Sequence, residues 1–210
     1  MVAAQESTAG DPRKERARAN RRRMVGAAYR LFCERGYSVP LTAIATEAGV
    51  AVQTLYFTFH TKAALLGEVL EFAVLGDGQP LPPHEQPWFD EFAAESSARR
   101  ALEIVVDSTM EIFARVAPLS GVFRSADPEV AALWAQSEQL RVDGFRKMTA
   151  TLAQKPGFRP GLASEEANDI LFVLLGPETY FAFVLGRGWP PRRWRDWTVG
   201  MLDAALLATL

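Results

Sequence analysis

An all-α fold is what this sequence predicts, and three observations carry the prediction. Apolar residues recur at three- and four-residue steps through most of the chain. No stretch alternates with the period of two that a half-buried strand would show. The interruptions fall at glycines and prolines that separate one helical pattern from the next.

The elements follow in order. Residues 1–12 mix Ala, Gly, Ser, Gln and Asp without periodicity and read as a disordered tail. From about Arg13 the chain turns helical, with Met24, Ala27, Ala28, Leu31 and Phe32 on one apolar face that stops at Gly36. Two short helices are expected at about 41–48 and 52–57, separated by Gly49 and Val50, where glycine takes positive φ without steric cost. A longer helix starts with Thr61 as N-cap and runs to about Leu75, ended by Gly76 and Gly78. Pro80, Pro82, Pro83 and Pro87 make residues 76–90 a connecting loop. Five helical segments complete the chain, at about 91–117, 127–154, 164–175, 177–187 and 191–209. Asp127-Pro128-Glu129 is a start signal, with a cap, a proline for the first turn and an acid near the positive helix end. Ser164-Glu165-Glu166 reads the same way. The run from Ile170 to Leu175 is apolar nearly all round and calls for burial on every side, with Gly176-Pro177 kinking or breaking it.

Composition narrows the class. With 49% hydrophobic and 23% charged residues the chain is an ordinary globular one. The longest apolar stretch, 170–175, is far shorter than the roughly 20 residues that span a bilayer, and no apolar leader opens the sequence. One cysteine, Cys33, excludes an internal disulfide framework and suits a reducing cytoplasm. The net charge of −2 hides an asymmetry: residues 1–62 carry +5 and the remainder −7. Seven basic residues fall between Arg13 and Arg23, as in a protein whose one end meets a polyanion, although such an arm reads equally as a solvated tail. There is no Ser/His/Asp set, Cys/His pair, carboxylate dyad or glycine-rich phosphate cradle, so an enzyme is not expected. His60 has no carboxylate or cysteine cluster near it in sequence; no metal and no cofactor is expected.

The segment from Leu41 to Phe59 holds the chemistry. Ile44, Ala45 and Ala48 form the inner face of a short helix, Val50 plugs the corner after Gly49, and Leu55 anchors a second helix to the first. Val52, Gln53, Thr54, Tyr56 and Phe57 are left at or near the surface, a pattern that suits insertion into a major groove about 12 Å wide.

Here the chain resembles the tetracycline-repressor (TetR) family of transcriptional regulators. The resemblance rests on Ala28 and Phe32, Gly36-Tyr37, Ile44-Ala45, Ala48-Gly49-Val50, Thr54-Leu55-Tyr56, Phe59, Thr61-Lys62 and Leu65-Leu66. Two departures stand out: Val39-Pro40 replaces the family's hydroxyl pair before the second helix, and Ala51 replaces the usual serine cap of the third. The resemblance implies a disordered tail at 1–12, a helix-turn-helix domain with its basic arm at 13–60, and a larger helical ligand-binding and dimerisation domain at 61–210. It implies that Gln53 reads adenine while Val52 or Phe57 meets a thymine methyl. It implies phosphate contacts from Thr54, Tyr56 and Lys62, and backbone or minor-groove contacts from Arg21, Arg22 and Arg23. A core aromatic is the alternative reading for Tyr56 and the preferred one for Phe59, and a solvated first-turn residue is the alternative for Lys62.

For the C-terminal part the resemblance implies a homodimer through 164–187 and 191–209, with Leu174, Tyr180, Trp194, Trp197 and Met201 at the interface. Trp194, Trp197, Met201 and Ala204 are expected on one stripe; a monomer core is the alternative for these aromatics. The resemblance also implies a site for a hydrophobic or aromatic effector, with Met110, Phe113, Trp134 and Phe172 as lining candidates. The expected partners are therefore an operator in double-stranded DNA, a second copy and a small molecule. A cytoplasmic repressor without membrane attachment follows.

Overall fold

A computed structural model describes residues 12–76, 85–123 and 127–208. The tail expected at 1–12 (Pro12 apart) and Gly78, Pro80, Pro82 and Pro83 of the connecting loop lie outside the described residues. Among those described, every regular element is helical, and one isolated antiparallel bridge joins Phe158 to Leu207. The chain divides into two compact units between Val69 and Leu70.

In the N-terminal unit, α1 (Pro12–Arg35) carries the basic run on its first half and the apolar face on its second. Residues 13–23 are exposed on every side, whereas Met24, Ala27, Ala28, Leu31 and Phe32 are buried. Gly36, at φ +73°, ends the helix by donating its N–H to Phe32 O. Helix α2 (Leu41–Ala48) packs Ile44, Ala45 and Ala48 inward against α1. Pro40 is its N-cap rather than its first helical residue, and offers its carbonyl to the amides of Ala43 and Ile44 in place of a side-chain cap. Gly49 sits in the left-handed region at φ +66°, and its neighbour Val50 donates back to Ala45 O. Helix α3 (Val52–Phe59) buries Leu55 and Phe59. Helix α4 (Lys62–Leu75) opens on Thr61, whose hydroxyl accepts from the Ala64 amide at 3.0 Å, as its sequence predicts.

The C-terminal unit departs from the expected elements in three places. The helix expected at 91–117 is two: α5 (Pro87–Ala94) and α6 (Ala98–Val116). Between them the Glu95 carboxylate takes the Ser97 amide at 2.9 Å and the Ser97 hydroxyl takes the Arg100 amide, so side chains replace the helical ladder. The Ser97 amide, foremost, holds the Glu95 carboxyl below its ordinary pKa. Pro87 is the second departure, since it starts α5 at the first turn instead of extending the loop. After a 3-10 turn at Ala117–Leu119 come α7 (Ser120–Phe123) and α8 (Pro128–Leu152), with Asp127 accepting from the amides of Glu129 and Val130. Helix α9 (Ser164–Leu174) stops before an extended Gly176, α10 (Pro177–Tyr180) restarts the chain, and Phe181–Leu185 form a π-helical turn. Helix α11 (Pro191–Leu206) closes the unit.

The third departure is the run expected to be buried on every side. Val173 is 63% exposed, and only Leu171 and Leu175 of 170–175 are fully inside. A helix with one face on α8 and another on α11 leaves its third face open in a single chain. By composition and length, 164–185 could cross a membrane, yet it is broken at 175–177 and carries Glu165, Glu166, Asp169 and Glu178.

Candidate nucleic-acid interface

The site grows from the burial pattern of α3. Leu55 and Phe59, four residues apart, turn inward, Tyr56 and Phe57 between them turn out, and Thr58 is half-buried with its hydroxyl donating to Thr54 O. Phe57 is 84% and Tyr56 53% exposed, Gln53 is exposed, and Val52 and Thr54 are half-buried. The side chains of Gln53, Tyr56 and Phe57 make no hydrogen bond or ring contact with the described residues. Leaving a phenyl ring in water forgoes roughly 1.5–3 kcal/mol of burial, so folding gains nothing from Phe57. Helix α3 has no side-chain cap at Ala51, as its sequence foretells.

The far end of α3 is strained. His60 has φ +62° and ψ −49°, and Thr61 donates to Phe59 O at 2.7 Å across it, which makes a γ-turn of the rare hand. It is the one non-glycine residue at positive φ among the described residues. The turn holds α3 to the start of α4 with a single intervening residue pair.

The cations are placed around this helix rather than on it. Arg21 makes a bidentate pair with Glu68 of α4 and lies over the Phe59 ring at 5.0 Å. Lys62 donates to Tyr37 O and sits 4.5 Å from the centre of the Tyr37 ring. Arg30 of α1 pairs with Glu47 of α2 at 2.8 Å. Arg21 and Lys62 thus brace the unit, a role their sequence context does not disclose because each partner lies 25 or more residues away. Arg22 and Arg23 are exposed, Arg23 donating to Asn20 one turn back. Burial pushes the Cys33 thiol up to about 11, which leaves it an inert thiol at neutral pH.

In the C-terminal unit the residues expected together are partly separated. Phe113, Tyr180 and Trp194 form one buried aromatic group, with ring centres 6.0 Å (Phe113–Trp194) and 5.1 Å (Tyr180–Trp194) apart. Met110 and Phe172 pack at the edge of the same cluster. Trp134 does not join them, and instead meets Phe123 with ring centres 4.5 Å apart and planes tilted by 30°. Arg141 of α8 lies 4.0 Å over Phe172, holds Glu138 and donates to Phe172 O where α9 ends. Gly176 makes room for it, since a Cβ there would stand 2.7 Å from the Arg141 guanidinium.

Two residues expected at a dimer interface are corrected. Tyr180 and Trp194 lie inside the C-terminal unit of a single chain, almost without exposed surface. The expected stripe on α11 divides: Trp194, Thr198, Leu202 and Leu206 face inward, while Met201 faces solvent and Trp197 leans on Phe183. Four-residue steps from Trp194 define the buried face, and a three-residue step to Trp197 rotates out of it. Leu174 is half-buried. Among the described residues, no three His, Cys, Asp or Glu side chains are grouped to hold a metal.

A helical pair crossing at a glycine corner, with the second helix presenting its side chains outward, defines a helix-turn-helix. Residues 25–69 match the bacterial regulatory proteins of the tetR family. The match covers the helix-turn-helix unit, which is therefore similar to the DNA-binding unit of those regulators. None of the curated proteins matches the sequence. Solved structures share the fold at low identity. The fatty acid degradation regulator FadR from Bacillus halodurans is 17% identical with a TM-score of 0.71, over 88% of this chain and 94% of that one. FadR from Bacillus subtilis, solved in complex with stearoyl-CoA, is 18% identical with a TM-score of 0.69, over 87% and 97%. NalD of Pseudomonas aeruginosa, the secondary repressor of the MexAB-OprM multidrug efflux pump, is 19% identical with a TM-score of 0.67, over 92% and 100%.

Proposed function

We propose that this protein is a cytoplasmic repressor that grips a palindromic operator as a homodimer and releases it when a hydrophobic or aromatic small molecule binds the C-terminal unit. The observation that carries the reading is α3, an eight-residue helix that presents Gln53, Tyr56 and Phe57 to solvent with no partner of their own. In this reading Val52, Gln53 and Phe57 meet base edges and Thr54, Tyr56 and Lys62 meet phosphates. Arg22 and Arg23 add contacts from the arm, while Arg21 braces α4.

The second copy docks on the open apolar face of the C-terminal unit. Val173 of α9, Leu185 of the π-helical turn (49% exposed) and Met201 of α11 (41% exposed) supply it, beside Leu174 and Trp197. Two copies present two recognition helices to half-sites about 34–36 Å apart. The effector reading draws on the stearoyl-CoA bound by the Bacillus subtilis relative. Within this chain it draws on polar atoms buried without partners among the described residues, Trp194 Nε1, Thr198 Oγ1 and Asn168 Oδ1, which a ligand's polar group or an ordered water would satisfy. Binding would favour a dimer whose α3 helices no longer match successive grooves.

Fluorescence anisotropy on the DNA upstream of the protein's own gene tests the reading at low salt. Tight binding that is lost in the Gln53→Ala/Tyr56→Ala variant, and lowered by stearoyl-CoA or a smaller aromatic compound, supports it. Affinity untouched by that variant overturns it. A second reading, a regulator without effector, is favoured by the filled centre around Phe113, Tyr180 and Trp194. A compound panel that leaves both the melting temperature and DNA affinity unchanged would select it.

A further inference from the structure

The recognition surface is aromatic, amidic and uncharged. Between Arg35 and Lys62 the chain holds no lysine or arginine at all, and its one acid, Glu47, is on α2 and paired with Arg30. The commonest contact that singles out guanine is an arginine or lysine bidentate to O6 and N7, and α3 has neither. Cytosine is read through its N4 amino group by an acceptor such as Asp or Glu, and α3 has none of these either. The side chains that α3 does expose are matched to the other base pair. Gln53 supplies the donor and acceptor that adenine N6 and N7 require, and Phe57 and Val52 supply apolar surface for the thymine C5-methyl. Phe57 makes the argument quantitative, because a ring 84% in water at a reading position gains only from apolar surface, and the thymine methyl is the apolar group in the major groove.

We infer that the operator half-site is read at A·T pairs, through thymine methyl groups packed on Phe57 and Val52 and an adenine held by Gln53. The cations of α1 supply attraction without base identity in the major groove. The inference rests on the DNA-binding reading of α3 above and specifies its substrate.

Selection from a randomised duplex library with the full-length protein, followed by thymine-to-uracil replacement in the selected site, tests it. Uracil keeps every hydrogen-bonding edge and lacks only the methyl. The expected result is a dyad whose specified positions are A·T, with affinity falling about fourfold for each contacted methyl removed, on the order of fifteenfold when one contacted methyl is removed from each half-site. The Val52→Ala/Phe57→Ala variant, altered at surface positions of α3, should bind thymine and uracil sites equally. A dyad specified by G·C pairs overturns the inference and leaves the regulator reading standing, as does an A·T dyad indifferent to uracil in the native protein. Selection that returns no sequence overturns the regulator reading, and the inference with it.

Discussion

Helices α3 and α11 treat aromatic side chains in opposite ways. Helix α11 draws Trp194 wholly inside, where it meets Phe113 and Tyr180 edge to face. Helix α3 leaves Tyr56 and Phe57 in water and buries only Leu55 and Phe59. Both are amphipathic helices by sequence, yet α11 commits Trp194 to the fold while α3, with Phe59 inside, keeps Tyr56 and Phe57 out of it. Residue type alone therefore does not separate these rings; their burial does.

The sharpest way to break that comparison is to truncate one aromatic from each helix. Trp194→Ala should destabilise the protein by about 3–5 kcal/mol by emptying the centre of the C-terminal unit. Phe57→Ala should change stability by less than about 0.5 kcal/mol while weakening DNA binding. Chemical denaturation of both variants checks this, and equal losses would dissolve the distinction.

The next effect separates attraction from reading within the N-terminal unit. Arg22→Ala/Arg23→Ala should weaken binding on the order of tenfold at low salt and lower the slope of log affinity against log salt by about 2, with base preference unchanged. A titration series in salt measures it; a changed preference would show that the arm reads bases.

Two smaller effects of opposite sign contrast a helix built for stability with one that carries strain. Asp127 caps α8 through the amides of Glu129 and Val130, and Asp127→Ala should cost about 1 kcal/mol. His60 sits at positive φ at the end of α3, and His60→Gly should raise stability by about 0.5–1 kcal/mol, the relieved strain exceeding the added chain entropy. Thermal melts of the two variants should move in opposite directions. A loss at His60 would mean that its imidazole holds the turn.

Much of the fold was legible because local rules govern it. The caps at Thr61 and Asp127, the left-handed Gly49 and the broken run at Gly176-Pro177 each act over a few residues, and each stands where its chemistry puts it. The helix-turn-helix was legible for the same reason, since its face pattern repeats at three and four. The break at 95–97 was missed because serine and glutamate there capture amides that a periodic pattern assigns to a continuous helix. The dimer assignments of Tyr180 and Trp194 failed on a different ground: a period identifies an apolar stripe and does not say whether the same chain or a second one covers it.

Read alone, the residues fix the all-α class, the capped helix starts at Thr61 and Asp127, the uncharged α3 and the cationic run ahead of it, because these depend on neighbours within a turn or two. Only the tertiary structure decided that Arg21 belongs to Glu68 and Lys62 to Tyr37, that Trp194 is core, and that Val173 and Phe57 stay in water. Those outcomes depend on which distant surfaces meet, and side-chain type carries no address for a partner 25 or 47 residues away.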